Sequence, residues 1–537
     1  MQRINPYLLL MLISLVLFVP GITSLPVVDR DEAHFSQATR QMVQTGEYFQ
    51  IRFQEKTRFQ KPPGINWLQA GVVNTFTDGD ASKIWPYRIP SVIGGILSVL
   101  FLFFFARRFV SERSALLGSA FLASSLLLVI ESHMAIIDSS LLSAVVLMQG
   151  ALWFIYDAGI SGKKVHKGWA LLFWAAMAYG FVLKGVTPLV GVLSVITLCV
   201  IDRNIKWLKG LHVFLGIILF IGLGLSWLLL VNAAENSNYL LQMVHKDLLP
   251  KLQGGHESHG QPPLFHLAIL PLTLWPASLF LWQGGVFAFK KRHLRTVKFL
   301  LAWVLPTWLF FEIMPTKLPQ YVLPTFPAIC LLLAMAIEPS ESDEKPSKTL
   351  HVLQILWGVL TFCMALGALF LPYIMMQQFT FSAIFIFWIL SVIGFCSIYF
   401  AWKANYTLAS RGTILIALLA FPLMFAYLLP QVRPLWVSKH VAKHVEKEQV
   451  SKQQPLLSVG YSEPSLVFYF NTDTVVFTDV STGFKQIENN PGQLMIIDQE
   501  TFATVPNHRD YNIQSRIPGF NYSKGKWLKL LVIEHNP

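Results

Sequence analysis

The chain has 537 residues, 54% of them hydrophobic and 13% charged, where a soluble domain carries roughly 25% charged residues. This excludes an ordinary soluble globular protein and marks a polytopic membrane protein. The net charge of +12 points to basic cytoplasmic loops rather than to a nucleic-acid partner, and the four cysteines all lie inside apolar runs, so neither a disulfide nor a thiolate metal site is expected.

From the N-terminus, Ile4–Val28 is a 25-residue stretch without a charge, long enough to cross a bilayer. Arg3 supplies the basic start of a secretory signal, but no small-residue cleavage site follows, so the stretch reads as a retained helix. Asp29, Arg30, Asp31, Glu32 and His34 then arrive within six positions and open a long loop, Asp29–Arg88. Inside it FSQATRQMVQTG has helical periodicity and a stop at Gly46. Further uncharged runs cover Ile89–Ala106, Ser114–Ile130, Ser139–Tyr156, Gly168–Leu183, Gly185–Ile201, Val213–Ala234, Leu267–Phe289, Phe299–Phe311, Leu318–Ile337 and Gly412–Val432. Val352–Trp402 is uncharged throughout and must hold two helices, broken near LPYIMMQQFT. The total is about 13 spans, an all-α polytopic bundle.

Orientation follows from Lys and Arg. With the N-terminus inside, the cytoplasmic segments hold 19 of them and the short outer loops four: Lys184, Lys246, Lys251 and Lys317. The loop 29–88 and the tail 431–537 then lie outside, leaving 1–430 as the membrane domain. The tail starts with a helical pattern, VSKHVAKHVEKE, followed by β-like runs LLSVGY, SLVFYF, TVVFTD, QLMIID and WLKLLVIE, which reads as a small α/β domain.

Chemistry is sought on the outer face. Lys184 (FVLKGVTP) and Lys317 (MPTKLPQY) sit at tight outer turns, and Lys61 lies in RFQKPPG. Each could snorkel to the headgroups; together they favour an anionic ligand such as phosphate. Asp31 and Glu32 stand at the membrane exit and Asp138 at another outer helix start. These acids suit proton acceptance from a hydroxyl, and equally suit helix capping. His245, His256, Glu257, His259 and His266 share one loop; its spacing and glycines do not fit a helical zinc motif, and a loop closing over a polar substrate is the expected role.

The motifs DRDEAHFSQATRQM, FQKPPGINWL, MAIIDSS, GFVLKG, HKDLLPKL and TKLPQYVLPTFPA follow one another in this order over residues 1–430. They resemble the bacterial aminoarabinose transferase-like, protein mannosyltransferase-related glycosyltransferases. The resemblance implies a GT-C fold and an inverting transfer of sugar from a polyprenyl phosphate. It implies that Asp31 corresponds to the family's essential first-loop aspartate and Asp138 to its second acid. Lys61, Lys184, Lys317 and Tyr321 correspond to donor-phosphate contacts and His245 to the loop histidine. Gln60 replaces the glutamate that, with the loop histidine, can hold a metal in the aminoarabinose branch, so no metal or other cofactor is expected.

The expected function is therefore transfer of a sugar from a polyprenyl-phosphate donor to lipid A, lipopolysaccharide core or another envelope acceptor, at the periplasmic face of a bacterial inner membrane. Catalysis is assigned to Asp31, Glu32 and Asp138. A protein O-mannosyltransferase is the alternative within enzymes, and a lipid-linked-sugar flippase the alternative outside them. Transporters place charges near mid-membrane, often in paired repeats, whereas here the unusual charges are at the outer surface and no repeat is present. The longest cytoplasmic loop, Glu338–Leu350, is acidic and Ser/Pro-rich; it cannot cradle a nucleotide diphosphate. The topology predicts that Glu257→Cys is labelled in intact cells by an impermeant thiol reagent and Glu344→Cys is not; the reverse pattern would overturn it.

Overall fold

The computed structural model describes residues 5–58, 61–235, 238–245, 249, 260–338, 347–445, 449–451, 453–505 and 510–535. Every uncharged run falls on helix. Nine helices lead the bundle: α1 (Pro6–Phe18), α2 (Asp31–Thr45), α3 (Gly64–Phe76), α4 (Trp85–Ala106), α5 (Glu112–Ser124), α6 (Leu126–His133), α7 (Asp138–Ile160), α8 (Lys167–Leu183) and α9 (Thr187–Asp202). Among the described residues eight helices are long and apolar enough to span a membrane, and ten if two bent pairs each count as one span. Those pairs are α5 with α6, bent by 55°, and Phe265–Thr273 with Ala277–Lys290, bent by 114°. Helices α1, α8 and α9 are apolar but shorter. The first run thus forms a 13-residue helix rather than a 25-residue one, because Pro20 and Gly21, the latter at φ 108, turn the chain before Leu25. The break in Val352–Trp402 comes where expected: Lys348–Met376 ends at Gln377 in the left-handed region, and Phe381–Trp402 restarts on a Thr380 cap.

The first outer loop carries more structure than its periodicity announces. Helix α2 ends at Gly46, φ 74, whose N–H returns to the Met42 carbonyl, as a left-handed C-cap requires. A small hairpin, β1 (Arg52–Phe53) with β2 (Lys56–Thr57), and α3 follow. Helices α2 and α3 are joined by buried polar groups: Thr39 Oγ1 donates to Gln69 Oε1 (2.7 Å), and Asn66 Nδ2 donates to Thr39 Oγ1 (2.8 Å).

Arg88, in the first turn of α4, is fully buried and uses all five of its donors. Nε and one terminal nitrogen grip Glu32 Oε1 and Oε2, both at 2.8 Å. The other bonds go to the carbonyls of Ile22, Leu25 and Pro26 at 2.7–2.9 Å. Glu32 also accepts the N–H groups of Val28 (2.7 Å) and Ala135 (2.8 Å). One ion pair therefore ties the exit of α1, the start of α2, the start of α4 and the loop between α6 and α7.

The tail folds as a five-stranded sheet in the order β4-β3-β5-β7-β6, from β3 (Leu456–Val459), β4 (Val475–Thr478), β5 (Leu494–Asp498), β6 (Tyr511–Asn521) and β7 (Lys526–His535). Strands β4, β3 and β5 are parallel; β7 and β6 add antiparallel. The run SLVFYF, expected as a strand, lies almost wholly in the helix Pro464–Tyr469. Pro464 sets its first turn, and a short apolar run buried on all sides does not show its period. The long strand β6 carries Pro518 and Gly519 within a polar sequence, which hid it.

Removing one partner of a buried, saturated ion pair leaves an uncompensated charge and costs about 3–5 kcal/mol. Arg88→Met should therefore lower the detergent melting temperature sharply. Adding Glu32→Gln should recover part of the loss, and a strictly additive double mutant would show that the pair is not coupled.

Candidate active site

Asp31 is the first residue of α2 and is exposed. Its neighbours fix it. Arg30 before it has φ 71, ψ −116, a region open to glycine and strained for arginine. Glu32 after it is held in the Arg88 clamp. This corrects the expectation that Glu32 shares in catalysis: it is 1% exposed, and four hydrogen bonds occupy its oxygens, so none is left for a substrate.

Facing this point are the ends of three more elements. Asp138 starts α7 and Lys184 follows α8; Lys184 Nζ donates to Asp138 Oδ1 at 2.7 Å. The same ammonium lies 5.2 Å from the Tyr321 ring centroid, a cation–π distance, with Tyr321 carried by the 3-10 turn Pro319–Thr325. Glu131, in α6, completes the group. It is 3% exposed, Oε2 has no hydrogen-bond partner among the described residues, and its electrostatic neighbours are Asp138, Lys184 and Asp31. The fold thus gathers Asp31, Asp138, Lys184 and Tyr321 in one cluster, and adds Glu131. That residue was missed in the sequence, although an acid ending the apolar run before SHMAIID is the kind of intramembrane charge that marks a site.

The remaining candidates have surroundings of their own. Lys61 lines a small cleft with Phe35, Ala38, Ile51, Arg58 and Asn66. The Tyr239 hydroxyl bonds to the carbonyls of Arg58 and Lys61, both at 2.9 Å. The KPPG turn packs hard on the end of α8: a Cβ on Gly64 would stand 2.5 Å from the Val182 carbonyl oxygen, so only glycine lets this turn pack so closely on that helix. Lys317 is buried, and its Nζ donates to the Gln261 carbonyl at 3.0 Å, beside His266, whose ring bridges Glu312 (3.3 Å) and the Leu318 carbonyl (3.1 Å). His245 is exposed. Gln60, His256, Glu257 and His259 lie outside the described residues. Among the described residues no three His, Cys, Asp or Glu side chains converge to hold a metal ion.

Asp29, two residues before Asp31, turns away from the cluster toward the tail. Its carboxylate accepts the Ser465 N–H (3.1 Å), and its own N–H donates to the Tyr522 hydroxyl (2.6 Å). Burial pushes the Asp29 carboxyl up to about 7; the neighbouring Glu463 adds to this, and the Ser465 bonds oppose it. His34, also on α2, is held down to about 3 by burial and by Arg58, so at neutral pH its ring is uncharged.

A polytopic helical bundle with a folded first outer loop and a small C-terminal sheet domain is the GT-C architecture. Superposition bears this out. The structure matches ArnT from Cupriavidus metallidurans in the apo state with TM-score 0.76, covering 98% of this chain and 97% of that one at 18% identity. It matches the same protein bound to undecaprenyl phosphate with TM-score 0.77 at 17% identity. At such identities the likeness is one of fold. Residues 60–229 match the family described as dolichyl-phosphate-mannose-protein mannosyltransferase. In sequence the chain is 29% identical over 309 residues to the undecaprenyl phosphate-alpha-4-amino-4-deoxy-L-arabinose arabinosyl transferase of Pseudomonas paraeruginosa. That match takes in 57% of this chain and 55% of the relative, so the chain spans about half the length of the curated relatives it matches. Within the GT-C class it is similar to the aminoarabinose transferase-like, protein mannosyltransferase-related branch.

The Asp29 shift has a sign. A carboxyl whose folded value is raised contributes stability that is fully present below its unfolded value near 4 and lost as pH rises through about 7. Asp29→Asn keeps an oxygen for the Ser465 N–H. It should therefore leave stability nearly unchanged at pH 3.5 and raise the melting temperature at pH 8.5, a stabilisation of roughly 1–3 kcal/mol after screening. An equal effect at both pH values would refute the shift.

Proposed function

We propose that this chain is an inverting membrane glycosyltransferase that moves a sugar from a polyprenyl-phosphate donor to a hydroxyl of an envelope lipid such as lipid A or lipopolysaccharide core. The observation that carries this reading is the gathering of opposite charges at the helix ends around Glu131: an exposed carboxylate, Asp31, and a half-buried ammonium, Lys184, already held by Asp138. The donor phosphate carries negative charge and meets Lys184, Lys61 and Lys317 as the anomeric C–O bond breaks, which stabilises the leaving group. Asp138 keeps Lys184 in place, and the Tyr321 ring shields it from water. Asp31 accepts the proton of the acceptor hydroxyl as its oxygen attacks the anomeric carbon. Of the acids in the cluster only Asp31 is exposed; the others are buried. One accessible carboxylate suits a single displacement, with inversion, better than a double one.

The site opens on the periplasmic side of the inner membrane in this reading; the support is the excess of Lys and Arg in the opposite loops. The reaction needs no metal or other cofactor, since the lysines supply the positive charge. A protein hydroxyl is the second acceptor class, favoured by the match of residues 60–229 to the mannosyltransferase family.

With acceptor present, purified enzyme should transfer sugar from the polyprenyl monophosphate donor and not from the matching nucleotide-sugar. Asp31→Asn should reduce transfer by about two orders of magnitude or more, the usual cost of a lost general base, with melting barely changed. Turnover on nucleotide-sugar alone would sink the mechanism, and near-normal turnover in Asp31→Asn would reduce that residue to a cap.

A further inference from the structure

Strand β3 lies between β4 and β5, both parallel to it. The chain crosses to one side of β3 to make β4 and then to the other to make β5. The carboxyl end of β3 is therefore a topological switch point, the place where open α/β sheets hold a ligand. Here Gly460, at φ 78, turns the chain into Tyr461, Glu463 and the helix Pro464–Tyr469. The crevice is filled by the protein's own first outer loop.

Five contacts seat that loop. The Asp29 carboxylate accepts the Ser465 N–H (3.1 Å), and the Asp29 N–H donates to the Tyr522 hydroxyl (2.6 Å). The Val27 N–H donates to the Tyr469 hydroxyl (3.0 Å). The Arg30 guanidinium pairs with Glu463 at 3.5 Å. Nearly three turns further along α2, Arg40 donates to the Phe468 carbonyl (2.6 Å). Glu463 is itself 1% exposed and steadied by Asn521 (2.9 Å), so it is a fixed point, not a mobile surface acid. Between these anchors lies Arg30, the strained residue, directly before Asp31. Strained backbone persists only where its surroundings over-determine it. The clamp on Glu32 holds the chain on one side of Asp31, and the α/β unit holds it on the other.

We propose that the C-terminal α/β unit is the positioning element of the active site: its switch-point crevice binds Asp29–Arg30 as other such folds bind a ligand, and thereby aims the Asp31 carboxylate. Glu463 and Tyr522 are positioning residues and touch no substrate. This rests on the reading of Asp31 as the base.

The test uses the full-length enzyme in detergent with four variants: Glu463→Gln, Tyr522→Phe, Arg30→Gly and Asp31→Asn. Glu463→Gln removes the charge that holds Arg30 and keeps an oxygen for Asn521. Arg30→Gly removes both the strain and the ion pair, so it loosens Asp31 without a loss of fold stability. In the first three variants kcat should fall roughly ten- to a hundredfold, with donor and acceptor KM within about twofold. The melting temperature of Arg30→Gly should be no lower than that of the parent. Unchanged kcat in Glu463→Gln and Arg30→Gly, with Asp31→Asn inactive, would overturn the positioning role and leave Asp31 as the base. Normal turnover in Asp31→Asn would overturn both. A kcat loss that only follows a loss of melting temperature in Arg30→Gly would make the contact plain scaffold and overturn the proposal.

Discussion

The Arg88–Glu32 pair is the constraint on which the site depends. Out of water, neither charge is tolerable alone. The fold satisfies both by bringing backbone from separate parts of the chain to them. Arg88 collects the carbonyls of Ile22, Leu25 and Pro26, where α1 has ended and no helix partner is available for them. Glu32 collects the N–H of Ala135, whose carbonyl in turn accepts from Gln69 of α3 (3.1 Å). The loop that presents Asp138 is thus pinned to the residue next to Asp31. The two outer acids owe their relation to a charged pair that never meets a substrate.

Around that frame the charges divide by exposure. Asp138 and Lys184 satisfy each other at 2.7 Å, so the ammonium is already in place and need not be drawn out of solvent. Asp31 is exposed. This difference in exposure matches the proposed reaction, in which a half-buried cation serves the leaving anion and an accessible carboxylate the entering hydroxyl. It also explains why Glu32 and Asp31, adjacent in sequence, take unlike roles. Successive residues on a helix point about 100° apart, so one faces the clamp while the other faces the opening.

The α/β unit gives the outer loop its second wall. Its helix Pro464–Tyr469 meets α2 and the residues before it through Phe468, which packs with Val27 and Ala33, and through polar contacts, Arg40 to the Phe468 carbonyl and the Ser465 N–H to the Asp29 carboxylate. Polar contacts fix direction as well as distance. An apolar seam could slide by a fraction of a residue; a carboxylate on an N–H and a guanidinium on a carbonyl cannot without losing their bonds.

The sequence by itself determined that the chain is a helical membrane protein, where the long helical stretch near residue 376 breaks, and that α2 stops at Gly46. It also picked out Asp31, Asp138 and Lys184, because charge at a helix end is costly and therefore stands out against an apolar background, while Tyr321 came only from the motif resemblance. These are local or compositional properties, and a period or a charge in a run of leucines is legible without coordinates. Only the tertiary structure decided that Glu32 is a brace, that Glu131 joins the site, that SLVFYF is helix and that the tail seats Asp29. Each of these depends on contacts between residues far apart in the chain, up to 436 positions for Ser465 and Asp29. The environment of a carboxylate is set by what packs on it, and not by its neighbours in sequence; no local pattern could separate Asp31 from Glu32.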